Sequence, residues 1–569
     1  MIRKLSSASA AAALVTTVAA LLIASTGSKT YPSQSLPMTL EQQRHIELIR
    51  VGAKPSHLWV YDGKVRHLIT LPTQIQHVVV IDMENRTVDN LLSAYYAQSF
   101  QGSASTQWHN VMNLHDPTSL MPTPLTTNLL SARFDPHHQH DDFLNEVGEG
   151  FNWPNEGFSC SPGYCSPPPS GPLTGYSYVP MWETSVYAGF IQNYASADEV
   201  FQANQGPSMP SHQYLIAGQS GGIAGSTYAP VALADNPKVS PTPGTAEVDF
   251  VQDPEQGDDT VYCNVPNNKR SLTLDMTQPW PETVDEFSSP LPPCEVYGHG
   301  TILDEIASIS PVTYDDWQYI AASNGGYWAA PTSVKNLYDD WSANTADPNQ
   351  PFIKDPNAYK FVQNIQRLGN SPRPFAALTY VTPCSISSDH ADTSGNDVFG
   401  PAWVGTVVNA IGNSTYWDHT AIIITWDDWG GWYDHVHWPE SILNPYPNGM
   451  SPPPNLKDPN EWGLRVPLII ISPYAKTVGY VSHGPGGTLT NPIPRSQSAI
   501  LNLVETIFDL GSLNADDYAN RDSSNNVDDM MDMFNFSPAP RAFSPAPIYS
   551  GYQFLDNCSP PPVTPTPPP

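Results

Sequence analysis

The chain has 569 residues, 40% of them hydrophobic, with 15 Trp and 27 Tyr, so it can fill sizeable cores and is not a disordered chain. Its 55 acidic side chains outnumber 24 basic ones, and the formal charge of −31 argues against a nucleic-acid partner, which needs a cationic surface. Divalent cations and neutral or locally steered substrates fit this balance, and so few Lys and Arg residues limit repulsion when carboxylates protonate, an expectation of stability in acidic medium.

Arg3 and Lys4 precede an uncharged apolar run from Ala10 to Ser25, and residues 1–28 read as an export signal that sends the protein to the periplasm or the medium. Ala24-Ser25-Thr26 only approximates a small-x-small cleavage site, which leaves an uncleaved anchor open. Residues 29–72 read as an N-terminal extension, and 73–550 as one catalytic region. Within it the short β-branched runs His77 to Met83 (HVVVIDM), Phe375 to Val381, Ala421 to Trp426 (AIIITW) and Val466 to Ser472 are continuous rather than alternating. Strands of that kind are covered on both faces. Phe399 to Ile411 and Arg495 to Leu510 carry apolar residues at helical spacing. The expected fold is therefore α/β: a mostly parallel sheet with helices on both faces and long Pro-rich loop insertions.

Residues 225–295 are Pro-rich, acidic and aperiodic, which marks an insertion, and 551–569 read as a Pro-rich tail, which from Cys558 on cannot pack a core and should be extended. Six cysteines (Cys160, Cys165, Cys263, Cys294, Cys384, Cys558) lack zinc-finger spacing and suit disulfides, with a local Cys160 to Cys165 bridge the preferred pairing.

In a parallel sheet, ligands sit beyond the carboxyl ends of strands. Glu84-Asn85-Arg86-Thr87 follows HVVVIDM, Asp427-Asp428-Trp429-Gly430-Gly431 follows AIIITW, and Ser388-Asp389-His390 follows the Phe375 to Val381 run. Carboxylate, amide and imidazole donors converging from separate strands have the composition of a divalent metal site.

The stretch Thr425 to Val436 (TWDDWGGWYDHV) resembles the signature of the bacterial phosphoesterase family that contains phosphatidylcholine-type phospholipases C and secreted acid phosphatases of the alkaline phosphatase superfamily. Other elements are similar in the same order: Glu84 to Asp89, Asp135-Pro136-His137-His138, Gly206-Pro207-Ser208, Ser388-Asp389-His390, Gly463 to Pro467 and Ile471-Ser472-Pro473. The resemblance implies an alkaline phosphatase-like fold and one divalent metal ion of unspecified identity, bound by Glu84, Asn85, Ser208, Asp427 and Asp428. It also implies that Ser208 is the nucleophile, with His138 and His390 bonding phosphoryl oxygens or protonating the leaving group. Its substrate would be a phosphate ester or phospholipid, diester or monoester, with transient contact to a membrane surface. Asp434 and His435 read as supports of the ligands, Arg465 as a carboxylate partner, and Gly430 and Gly431 as a close backbone approach. The chain departs from the family pattern at Val88 in place of Phe, at Ser211-His212 in place of Asn-Arg, and at Ala391 in place of Pro.

Two other functions compete. Gly218-Gln219-Ser220-Gly221-Gly222 matches the G-x-S-x-G elbow of metal-free serine esterases. A secreted binding protein without turnover could also keep the fold. Trp429, Trp432 and Trp438 fit either a choline- or lipid-receiving wall or ordinary core.

Overall fold

The computed structural model describes residues 40–61, 66–99, 177–218, 301–307, 317–321, 328–334, 352–367, 375–391, 398–434, 462–511 and 528–558, apart from a residue or two inside some spans, together with a few shorter pieces. Two compact units divide at Gln43 and Arg44, and of the first only the start of helix α1 (Leu40–Arg50) is described. The expected export signal, the Cys160 to Cys165 pairing and nearly all of the 225–295 insertion fall outside the described residues.

An antiparallel hairpin, β1 (Ser56–Tyr61) and β2 (Arg66–Leu71), precedes the central sheet. That sheet has eight strands: β3 (His77–Met83), β4 (Ala195–Ala197), β5 (Trp317–Ala321), β6 (Phe352–Lys354), β7 (Leu378–Val381), β8 (Thr420–Trp426), β9 (Leu468–Ile471) and β10 (Tyr480–Ser482). Their spatial order is β6-β5-β7-β3-β8-β9-β4-β10, and only β9 runs against its neighbours. The expected mostly parallel α/β sheet is what the chain forms. Every residue of β3 and β8 is buried, which requires cover on both faces.

Helix α2 (Val88–Ser99) follows β3, and the cover of the sheet comes from two sets of later helices. Helices α3 (Ser185–Asn193), α6 (Tyr359–Gln366) and α7 (Phe399–Gly412) pack together, while α4 (Ser208–Ala217) packs with α5 (Ile302–Ala307) and α8 (Ala499–Phe508). Successive side chains of a strand point to opposite faces. Trp426 meets Tyr187 of α3 edge-on at 5.0 Å, whereas its neighbour Thr425 accepts a hydrogen bond at 3.1 Å from Gln497, just before α8, so the two sets lie on opposite faces. Helix α8 begins later than its apolar spacing suggests, because Arg495 and Ser496 pair as a short strand with Val200 and Phe201. Among the described residues no helix is long and apolar enough to cross a membrane.

Register decides what the sheet edge presents. Met83 pairs with Trp426 and Ile81 with Val381, so the chain leaves β3, β8 and β7 at one edge of the sheet. Met83 O accepts from Asp427 N–H at 2.8 Å and Ser388 O from Glu84 N–H at 2.8 Å, which ties the three exits together.

Candidate active site

Glu84, Asn85, Asp427 and Asp428 are fully buried at these exits, as is Ser208 at the first position of α4. Asn85 takes a left-handed backbone conformation at φ 56°, and its N–H donates to Asp427 Oδ1 at 2.7 Å. The Ser208 hydroxyl lies 3.1 Å from Asn85 Oδ1 and 3.0 Å from Asp428 Oδ2, able to donate to either. Gly430 N–H donates to Asp428 Oδ1 at 2.7 Å. Gly430 itself has φ +60°, and a Cβ there would stand 2.6 Å from both Asn85 Cβ and Asn85 O, so the expected close approach is real.

His138 and His390 join the site together with Asp135. His138 Nδ1 donates to Pro136 O at 2.8 Å, which leaves Nε2 to accept from Asn85 Nδ2 at 3.1 Å. That bond fixes the Asn85 amide with its oxygen toward Ser208. The two imidazoles stand edge to face at 6.1 Å, with Asp135 3.8 Å from His138 and 3.9 Å from His390. The ligand atoms of Asp135, His138 and His390 lie within 4.8 Å of one another, as do those of a second group, Glu84, His212 and Asp427.

His212 is the functional residue that the sequence reading noted only as a departure. Its Nδ1 ion-pairs with Asp82 Oδ2 at 2.6 Å and its Nε2 with Glu84 Oε1 at 2.9 Å, while Asp427 Oδ2 stands 3.7 Å from Nε2. Two signals for it existed. Asp82 is a carboxylate inside an otherwise apolar strand, two residues from Glu84 and so on the same face, and His212 lies one helical turn after Ser208.

The electrostatics follow from crowding. Burial opposes a charged His212, but the carboxylates of Asp82 and Glu84 outweigh it and hold the imidazolium well above the ordinary histidine range. Burial, and then the charge of Asp427, push Glu84 well above the usual carboxylate range, and burial lifts Asp82 to about 6 against the pull of His212. Asp427 is held below its ordinary value because His212 and hydrogen bonds from Glu84, Ser208 and the Asn85 N–H overcome the burial that would raise it. Glu84 and Asp427 thus stand close enough to share a proton, whereas as two anions each keeps one buried oxygen, Glu84 Oε2 and Asp427 Oδ2, without a hydrogen-bond partner among the described residues. Hard oxygen donors crowded in this way, with orphaned lone pairs, suit a divalent cation.

Charged supports lie behind these donors. Arg465 pairs with Asp434 at 2.9 Å and with Asp89 at 3.4 Å, all three buried. Arg86 donates to Asp389 O, Leu130 O and Asn90 Oδ1 and lies 4.9 Å over the Trp432 ring, binding the β3 exit to the β7 exit. Trp429 and Trp432 have no exposed surface, the burial expected of core residues. Trp438, His435 and Ser220 lie outside the described residues, and Gly218 of the G-x-S-x-G stretch is the left-handed cap that ends α4.

Comparison with known proteins bears out the family resemblance. The sequence model of the Phosphoesterase family matches residues 75–511. Non-specific phospholipase C4 of Arabidopsis thaliana is 43% identical over 115 residues, 20% of this chain and 20% of its own length. Phospholipase C B of Mycobacterium tuberculosis is 27% identical over 202 residues, 32% of this chain and 36% of its own. The chain therefore matches well under half the length of these relatives. A solved protein of the alkaline phosphatase superfamily from Vibrio parahaemolyticus aligns with 86% of this chain and 79% of its own at 9% identity, but with a TM-score of 0.31, too slight a likeness to carry an argument.

Proposed function

The chain belongs to the Phosphoesterase family, and on that premise we propose that it is an exported, metal-dependent hydrolase of phosphate esters that uses Ser208 as its nucleophile and acts on diesters of the phospholipase C type. The observation that carries the reading is the buried Ser208 hydroxyl, within hydrogen-bond reach of Asn85 and Asp428 beside the orphaned oxygens of Glu84 and Asp427. Glu84, Asn85, Ser208, Asp427 and Asp428 would hold one divalent cation. When bound, such an ion lowers the pKa of a coordinated hydroxyl and offsets phosphoryl charge.

Ser208 Oγ attacks phosphorus and displaces the alcohol. Once protonated at Nε2, in place of accepting from Asn85, His138 joins His390 in hydrogen-bonding the phosphoryl oxygens and giving a proton to the leaving alkoxide, a role suited to imidazoles, whose ordinary pKa lies near neutrality. Water then cleaves the phosphoserine and restores the hydroxyl. Phospholipase C names among the relatives support the diester, and the basic and apolar run at residues 3–25 supports export.

The test is chelation with EDTA followed by return of divalent cations, read in parallel on p-nitrophenyl phosphorylcholine and p-nitrophenyl phosphate. Turnover should vanish with EDTA, return with metal, and be faster on the diester. Faster turnover of the monoester would replace the diester reading with an acid phosphatase. Hydrolysis that survives chelation and is blocked by a serine-reactive reagent would favour an esterase built on Ser220, and no turnover of any phosphate ester by the metal-loaded chain would favour a binding protein.

A further inference from the structure

Two cysteines that the catalytic reading does not use meet where the end of the described chain returns to the sheet. After Tyr549, whose hydroxyl donates to Glu183 O at 2.6 Å, the backbone runs as a strap across α7 and α6. Tyr552 lies 6.4 Å from the Phe399 ring, Phe554 stacks on Tyr359 at 5.6 Å, and Leu555 O accepts from Asn357 Nδ2 at 2.9 Å. The strap then reaches Cys558, a half-buried thiol, beside Cys384, a buried thiol in the turn between β7 and Asp389.

Asn357 organises this meeting. It holds a left-handed φ of 62°, its carbonyl accepts from Trp403 Nε1 at 2.9 Å, and its Oδ1 accepts from Ser387 Oγ at 3.2 Å and faces Cys384 Sγ at 3.8 Å. Cys558, three residues beyond Leu555, comes close enough to Asn357 and to Cys384 for each to act on its thiol. One residue thus brings both thiols together from segments far apart in the chain.

We propose that Cys384 and Cys558 form a disulfide in an oxidising medium, stapling the Tyr549 to Cys558 strap onto the loop that carries Asp389 and His390. The contact assigns the order of the exchange. Cys558 is the more accessible thiol, and the neighbouring Cys384 thiol lowers its pKa, while Cys558, with burial, raises that of Cys384. The Cys558 thiolate attacks a small disulfide such as oxidised glutathione and displaces one glutathione thiolate, leaving a mixed disulfide. Cys384 then loses its proton and attacks the Cys558 sulfur, displacing the second glutathione. Two electrons pass from the protein thiols to the oxidant, and the two protons are taken up by the two glutathiones released.

The experiment is a non-reduced peptide map of the full chain, equilibrated in glutathione buffers of rising oxidised fraction and alkylated to block remaining thiols. It needs no activity, so it stands or falls apart from the hydrolase reading. The expected result is a linked Cys384 and Cys558 peptide that becomes the main form as the buffer turns oxidising. The thermal midpoint should rise with it by a few degrees, a shift absent from Cys558→Ser. Both peptides remaining alkylated in the most oxidising buffer would overturn the proposal, as would either cysteine linking instead to Cys160, Cys165, Cys263 or Cys294. Because the map is made on the unaltered chain, a Cys558→Ser variant that fails to fold leaves the result intact.

Discussion

Substitution of His212 separates a support of the site from bulk packing. Its two nitrogens do different work: Nδ1 lies 2.6 Å from Asp82 and Nε2 2.9 Å from Glu84, a proposed metal ligand. Asparagine carries its amide nitrogen near the Nδ1 position and so retains the Asp82 contact while losing the bond to Glu84; glutamine reaches further and does the reverse. Partners that orient a metal ligand are worth about 10- to 100-fold in metal affinity, or roughly 1.4 to 2.8 kcal/mol. His212→Asn should therefore weaken divalent cation binding by that range, and His212→Gln by less than about tenfold. The assay is calorimetric titration of EDTA-stripped protein, with circular dichroism to show that each variant is folded. An asparagine variant that binds as tightly as the unaltered protein, or a glutamine variant that binds more weakly than the asparagine variant, would refute the orienting role.

Further outcomes follow from other buried groups. Arg465→Met leaves Asp434 and Asp89 buried without their cation and should cost about 3–5 kcal/mol in urea unfolding. Burial raises Asp529 from 3.8 to about 7, so the stability it contributes is fully present below pH 4 and is lost as pH rises through 7. At about 1.4 kcal/mol per unit, the loss between pH 5 and pH 8 is on the order of 2 kcal/mol, and Asp529→Asn should flatten that slope when urea midpoints are compared at the two pH values. Gly430→Ala, whose Cβ would meet Asn85 at 2.6 Å, should keep the fold but lower kcat on the order of 100-fold, because it displaces the residue that bonds Ser208. Wild-type turnover by that variant would show that the close approach is not needed.

The strands that build the centre were legible because they are long and mostly apolar: HVVVIDM and AIIITW lie side by side, and the acidic residues after each fall at one sheet edge. The short outer strands were not. Ala195–Ala197, Phe352–Lys354 and Tyr480–Ser482 have three residues each, too few to show a period, and they hold their places by pairing with distant partners. In the site, a metal-type donor set could be read from residue types at strand ends. What escaped was the support behind it, since Asp82 lay inside an apolar run and His212 was noted only as a departure from a family motif. Their meaning comes from a helix crossing a strand, which no local pattern records. The cysteine contact is of the same kind, because Asn357 joins segments whose spacing in the chain carries no signal.

The central claim is that Ser208 takes the phosphoryl group. Peptide mass mapping of the metal-loaded protein, quenched in acid during turnover of p-nitrophenyl phosphorylcholine, should find a phosphoryl-containing group on Ser208 and none in Ser208→Ala, which should have lost turnover. An unmodified Ser208 under conditions that preserve phosphoserine, or a Ser208→Ala variant that hydrolyses the ester at the wild-type rate, would contradict it.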